Sequence, residues 1–152
     1  RCVSLHQELA HRRFRHHADQ RGRRHRRCSD RFTLMISFRL PNGSEFSFPV
    51  EWWNEAGMPA FERQSPYYLW DAVPELFVRI DAIEPPPMDY EALDRVRMVK
   101  VLQAIVSRTA LTPVEVEELS LGDYHYRLHH GAHRYFASVA VGFTHIPARL
   151  RR

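Results

Sequence analysis

Residues 35 to 152 contain no cysteine; the two cysteines of the chain, Cys2 and Cys28, stand near its start. No disulfide framework can staple the body, so its stability must come from a buried apolar core. That usage fits a reducing compartment. Long hydrophobic runs are missing too. No stretch approaches the ~18 apolar residues of a membrane span, and the first residues lack the apolar segment of a secretory signal. A cytoplasmic protein without membrane association is the expectation. Lysine is absent from residues 1–34, where ten arginines face only Glu8, Asp19 and Asp30, a net +7. The remaining residues carry 12 bases and 15 acids, a net −3, so the overall +4 belongs to the leading segment. A body of that sign exerts no general pull on nucleic acid.

Hydrophobic residues make up 44% of the 152, which suffices for one domain of ordinary size. Residues 1–31 have too few of them to offset the entropy of ordering, and residues 1–34 are expected to form a basic disordered tail. Three readings stay open for it. It is a basic arm for RNA, DNA or an acidic partner, a zinc site at Cys2, His6, His25 and Cys28 with a spacing that matches no usual finger, or an upstream extension without a structural role. The chain begins with Arg1, and Met35 immediately precedes the first well-patterned strand, which favours the last.

"MISFRLPNGSEFSFPV" places two alternating runs around Pro-Asn-Gly, the pattern of a β-hairpin. Ile36, Phe38 and Leu40 share one face of the first strand, and Phe46 and Phe48 pair on the second. The following stretch is crowded with Trp52, Trp53, Tyr67, Tyr68 and Trp70. It is read as the aromatic core of a small subdomain over 35–74, with a binding surface as the competing reading.

From residue 75 the pattern becomes regular. "ELFVRIDAI" alternates Leu76, Val78, Ile80 and Ala82 on one face of a single strand. Three prolines in "EPPPMDY" make a rigid connection. "DYEALDRVRMVKVLQAIVSR" has no Gly or Pro and predicts a helix. Ala92, Val99, Leu102 and Val106 share its apolar side with Met98 and Ile105 beside them, while Arg97 and Lys100 share another side with Ala104. "TPVEVEEL" and "YHYRLHH" are strands, the second with Tyr124, Tyr126 and Leu128 opposite His125, Arg127 and His129. "AHRYFASVAV" is a helix burying Ala132, Phe136, Val139 and Ala140 and closed by Gly142, and "HIPARL" is a last strand. The order β–α–β–β–α–β implies an α+β fold with helices packed on a small mixed sheet.

The stretch "LHHGAHRYFA" carries the chemistry. Gly131 lets the chain turn tightly where a strand ends, and the helix that follows opens with unpaired N–H groups and a partial positive charge. His133 and Arg134 lie in its first turn. An arginine there opposes the macrodipole at a cost of about 0.3–1 kcal/mol, which a resident anion such as phosphate would reverse. On the residues alone the alternative stays open: Arg134 reaches an acidic loop such as Glu117-Glu118, and His133 is solvated.

Residues 75–152 resemble the ParB N-terminal/sulfiredoxin-like domain family. The resemblance runs in order through "VRIDAI", the first helix, "LTPVEV", "YHYRLHHG", "GAHRYFA" and "GFTHIPARL". ParB proteins carry G-E-R-R-x-x-A at the turn, sulfiredoxins G-C-H-R and the related free-serine kinases D-G-H-H-R; here Gly131-Ala132-His133-Arg134 is followed by Ala137. The resemblance implies that Gly131, His133 and Arg134 contact nucleotide phosphates. The first helix is similar to the sulfiredoxin pattern D-x-x-K-x-x-S-x-x-x-T-I, with Asp94, Arg97, Lys100, Ala104 and Ile105 in its place. Arg97 keeps the charge, and the two hydroxyls are lost. Ala132 stands at the sulfiredoxin cysteine, so sulfinic acid reduction is not expected. Ala132 also replaces the ParB glutamate, and His130 the kinases' aspartate. The second ParB nucleotide motif and the helix-turn-helix domain have no counterpart in these residues.

Three functions compete. The first is a module that holds a nucleotide or other phosphorylated small molecule at Gly131, His133 and Arg134 with Arg97 and Lys100. The second is an ATP-dependent phosphotransferase related to free-serine kinases, using a nucleoside triphosphate with Mg²⁺ and taking Glu84, His130 or His133 as acid/base. The third is a nucleic-acid or partner-binding protein that works through residues 1–31. The first is preferred, and no resident metal is expected.

Overall fold

A computed structural model describes residues 33–71, 76–87 and 93–151. Residues 1–32 of the basic tail, with the cysteines and histidines considered for zinc, lie outside the described residues. The chain opens with a hairpin, β1 (Met35–Arg39) and β2 (Glu45–Pro49), in antiparallel register with Phe38 opposite Phe46. Its turn explains the Pro-Asn-Gly signal. The Gly43 N–H donates to Leu40 O at 2.9 Å, and Gly43 takes φ 84°, the left-handed position that closes a three-residue hairpin loop. Oδ1 of Asn42 accepts from the Ser44 N–H at 3.0 Å and its hydroxyl at 2.6 Å, which pins the returning strand.

A short helix follows, α1 (Val50–Glu55), and then a 3-10 turn over Met58–Ala60. The remaining elements are β3 (Leu76–Arg79), β4 (Ile83–Glu84), α2 (Arg95–Val106), β5 (Val114–Glu118), β6 (Tyr126–His130), α3 (Ala132–Val141) and β7 (His145–Leu150). The fold is α+β. Five strands form one mixed sheet in the order β3-β7-β5-β6-β4, with β5 and β7 parallel at its centre. β3 pairs antiparallel with β7, β6 antiparallel with β5, and β4 parallel with β6. No helix among the described residues is long and apolar enough to cross a membrane.

The expected single strand "ELFVRIDAI" is divided. A 3-10 turn over Ile80–Ala82 separates β3 from β4, and the two pieces lie on opposite edges of the sheet. The buried residues record the break: Val78 and Ile80 alternate, and the next buried position is Ile83, three residues on. The first helix also starts later than its pattern suggested. Asp94 is its N-cap, with Oδ1 accepting from the Arg97 N–H at 2.8 Å, and the expected apolar position Ala92 lies outside the described residues.

Register assigns the faces of the sheet. Leu76, Val78, Ile146, Ala148, Val114 and Val116 point to one side and meet Met98, Leu102 and Ile105 of α2 and Phe136 of α3 in one core. α3 buries Tyr135, Phe136, Ala137 and Ser138, and the expected Ala132, Val139 and Ala140 are half-buried against the same core, so its covered side includes the expected one and is wider. On the other side of the sheet, Phe77 pairs with Pro147 and packs against Tyr67, tilted, and Trp70, edge-on, at ring distances of 4.6 and 5.0 Å. The aromatic stretch therefore divides into two groups. Phe38, Phe46 and Phe48 pack with Trp52 and Trp53, and Phe46 meets Phe136 at 4.9 Å, which carries the hairpin into the core of the sheet domain. Tyr67 and Trp70 cover the back of the sheet.

Candidate functional site

The end of β6 is irregular in a way that builds a site. Val116 pairs with Leu128, yet Glu115 pairs with His130, so His129 is one residue too many on its strand. Regular alternation would send His130 to the core side with Tyr126 and Leu128. The bulge turns it out, and His129 and His130 both stand exposed with their rings 4.5 Å apart. Gly131 then takes φ 104°, ψ 29°, and α3 begins. No other residue fits: a Cβ at Gly131 would lie 2.7 Å from Cγ1 of Val114 and 3.0 Å from Nη2 of Arg134.

No side chain caps α3, and its first intrahelical bond runs from the Tyr135 N–H to Gly131 O at 3.0 Å. The N–H groups of Ala132, His133 and Arg134 precede that bond. Those three residues border an open cleft of about 710 Å³ between α2 and the β6–α3 turn. Arg97 and Lys100 of α2 line it, together with His129, His130, Gly131, His133 and Arg134, so the five residues expected at a phosphate share one cleft. Among the described residues no acidic side chain lines it, although the body as a whole is acidic. Among the described residues neither Arg97 nor Lys100 enters an ion pair. Ala104, expected on their side, lies farther along α2 and lines a different cavity.

Two of the expected anchors are already engaged. The Asp94 N–H donates to Nε2 of His133 at 3.0 Å, so His133 ties the start of α3 to the start of α2 and is not merely solvated. A ring nitrogen that accepts carries no proton, so the imidazole is neutral in this arrangement. Burial and the nearby Arg97 charge hold its pKa below the usual histidine value, against an opposing pull from Asp94. Arg134 turns away from Glu117 and Glu118. Its Nη1 donates to the carbonyls of Thr112 and of Pro113, the latter at 2.9 Å, and its own carbonyl accepts from the buried Ser138 hydroxyl at 2.6 Å. Those carbonyl dipoles answer the charge that seemed to require an anion beside the helix terminus.

Glu84 stands apart from the cleft. It faces Arg127 across the β4–β6 pair, and Nε of Arg127 donates to its Oε2 at 2.6 Å, while Glu117 holds the same guanidinium at 3.6 Å. His130 does line the cleft, with Nε2 4.0 Å from Glu115. Sequence reasoning missed His129, whose place depends on a bulge with no local signal, and the capping role of Asp94, which its position three before Arg97 could have revealed. Among the described residues no three His, Cys, Asp or Glu side chains are grouped to hold a metal ion.

No protein-family model matches the chain, and no curated protein matches it. Among solved structures the chain is similar to the sulfiredoxin of Arabidopsis thaliana, with a TM-score of 0.42 and 24% identity over 51% of this chain and 85% of that one.

Proposed function

We propose that the cleft between α2 and the β6–α3 turn binds a phosphorylated small molecule, a nucleotide in the reading preferred from sequence. The observation that carries the proposal is the lining itself. Among the described residues, two cations without ion-pair partners and the opening residues of a ten-residue helix without a side-chain cap line one space, and no carboxylate lines it. The N–H groups of a helix start and cations are what phosphate oxygens take as donors. Arg97 and Lys100 supply the charge, Gly131 allows the close backbone approach, and His133 holds the two helix starts together. Arg134 acts from beneath the turn, by fixing the segment at Thr112 and Pro113. Mg²⁺ would come with the ligand's own phosphates, which suits an ion that keeps most of its water.

A thermal-shift comparison of ATP, ADP and CTP, with and without Mg²⁺, tests this on the full chain. A nucleotide is expected to raise the melting temperature, and the rise is expected to shrink in R97A/K100A. Arg134→Ala is a poor probe, since it removes donors from two carbonyls. No shift with any nucleotide at millimolar concentration contradicts the proposal.

A further inference from the structure

A second cavity, of about 270 Å³, lies at the other end of α2. Its wall is apolar over Phe61, Tyr67, Tyr68, Ile105 and Phe143, and Arg108 stands on it. The backbone of Arg108 is unusual. α2 ends with the Thr109 N–H donating to Ala104 O at 2.8 Å and the Arg108 N–H to Ile105 O at 3.3 Å. That is the bonding of a Schellman motif, in which the residue after the C-cap takes a left-handed conformation and is usually glycine. Here it is arginine, at φ 54°, the one non-glycine with positive φ among the described residues. A backbone held in the left-handed region at the wall of a cavity points from geometry to function. Among the described residues Arg108 takes part in no ion pair.

We infer that this cavity binds a small hydrophobic carboxylate, with the apolar body against Phe61, Tyr68 and Phe143 and the carboxylate on Arg108. The volume falls just below the ~300–1,000 Å³ of sites that hold drug-sized ligands, so the ligand is of the size of one aromatic ring with a short acidic chain. An apolar cavity supplies binding area, and a charged donor at its wall sets orientation and selects an anion. Glu62 also lines the cavity, which makes the sign of the selected charge the decisive question. The inference stands apart from the phosphate cleft, whose cations lie nearer the start of the helix.

The test is calorimetric titration of the full chain with 3-phenylpropanoate and, in parallel, with 2-phenylethylamine. The acid is expected to bind saturably and the amine not to bind. Arg108→Gly is expected to weaken the acid by about tenfold or more. The same variant is expected to keep its melting temperature or gain about 2–4 °C, because glycine relieves the left-handed backbone. R97A/K100A is expected to bind the acid like the wild type. Failure of the acid to bind at millimolar concentration overturns the inference. So do preference for the amine, undiminished binding by Arg108→Gly, a fall in that variant's melting temperature, or loss of binding in R97A/K100A.

Discussion

Gly131 is the residue on which the cleft depends most directly, because two independent demands meet there. Its φ of 104° is closed to ordinary side chains, and Cγ1 of Val114 leaves no room for a Cβ. Gly131→Ala is expected to cost about 2–4 kcal/mol, the left-handed penalty plus overpacking against a central strand, read as a lower midpoint in urea. The conformational need was legible in the sequence, since a glycine between a strand pattern and a helix pattern is a turn. The clash with Val114 was not, because it depends on a strand thirteen or more residues away being its neighbour.

His133 makes a second prediction at the same scale. Its folded pKa lies below the ordinary value of about 6.5, so the unfolded chain takes up the proton first as pH falls. The stability that His133 contributes is complete above pH 6.5 and is lost as pH falls through the folded pKa. Protonation removes the acceptor for the Asp94 N–H, beside the Arg97 charge that already disfavours it. In H133Q, which keeps a neutral acceptor, the loss of stability between pH 7 and pH 5 is expected to be shallower than in the wild type. An equal loss of unfolding free energy in wild type and H133Q, from chemical denaturation at the two pH values, counts against this role. Asp94 and His133 were each visible as candidates, but nothing in a one-dimensional pattern pairs two residues 39 positions apart.

Among the elements, the hairpin shows what alternation can and cannot reveal. Ile36 to Phe48 announced two strands and their inward faces, and Pro-Asn-Gly announced the turn between them. Which surface those faces cover was hidden. Phe46 is 3% exposed and lies against Phe136 of α3, so the hairpin supports the helix that begins at the cleft. Phe46→Ala is expected to cost about 3–5 kcal/mol and to loosen α3, read as faster amide exchange at Tyr135 to Ser138. Retained protection there with the hairpin destabilised would show that the two are energetically separate. The split of "ELFVRIDAI" into β3 and β4 was illegible for a different reason. Both pieces have strand-like composition, and only the sheet order places them on opposite edges.

For the molecule as a whole, the sign of the charge in each place matters more than the total. The body is net negative, yet Arg97, Lys100 and the first turn of α3 line a cleft that has no carboxylate in its lining among the described residues. The resemblance of residues 75–152 to the ParB/sulfiredoxin family led to this turn, and the α+β architecture with its mixed five-stranded sheet agrees with the fold it implied. The position of Arg97 and Lys100 opposite the turn comes from packing of α2 on α3, and the outward turn of His130 from a bulge; spacing along the chain encodes neither.

The most direct test is isothermal titration of ADP into the full chain and into R97A/K100A at one salt concentration. Both proteins carry the ten tail arginines, so any binding through the tail is common to the two. Saturable binding by the wild type that weakens about tenfold or more in the variant is the predicted result. Identical isotherms for the two proteins, or none for either, would contradict the assignment of the cleft as a phosphate site.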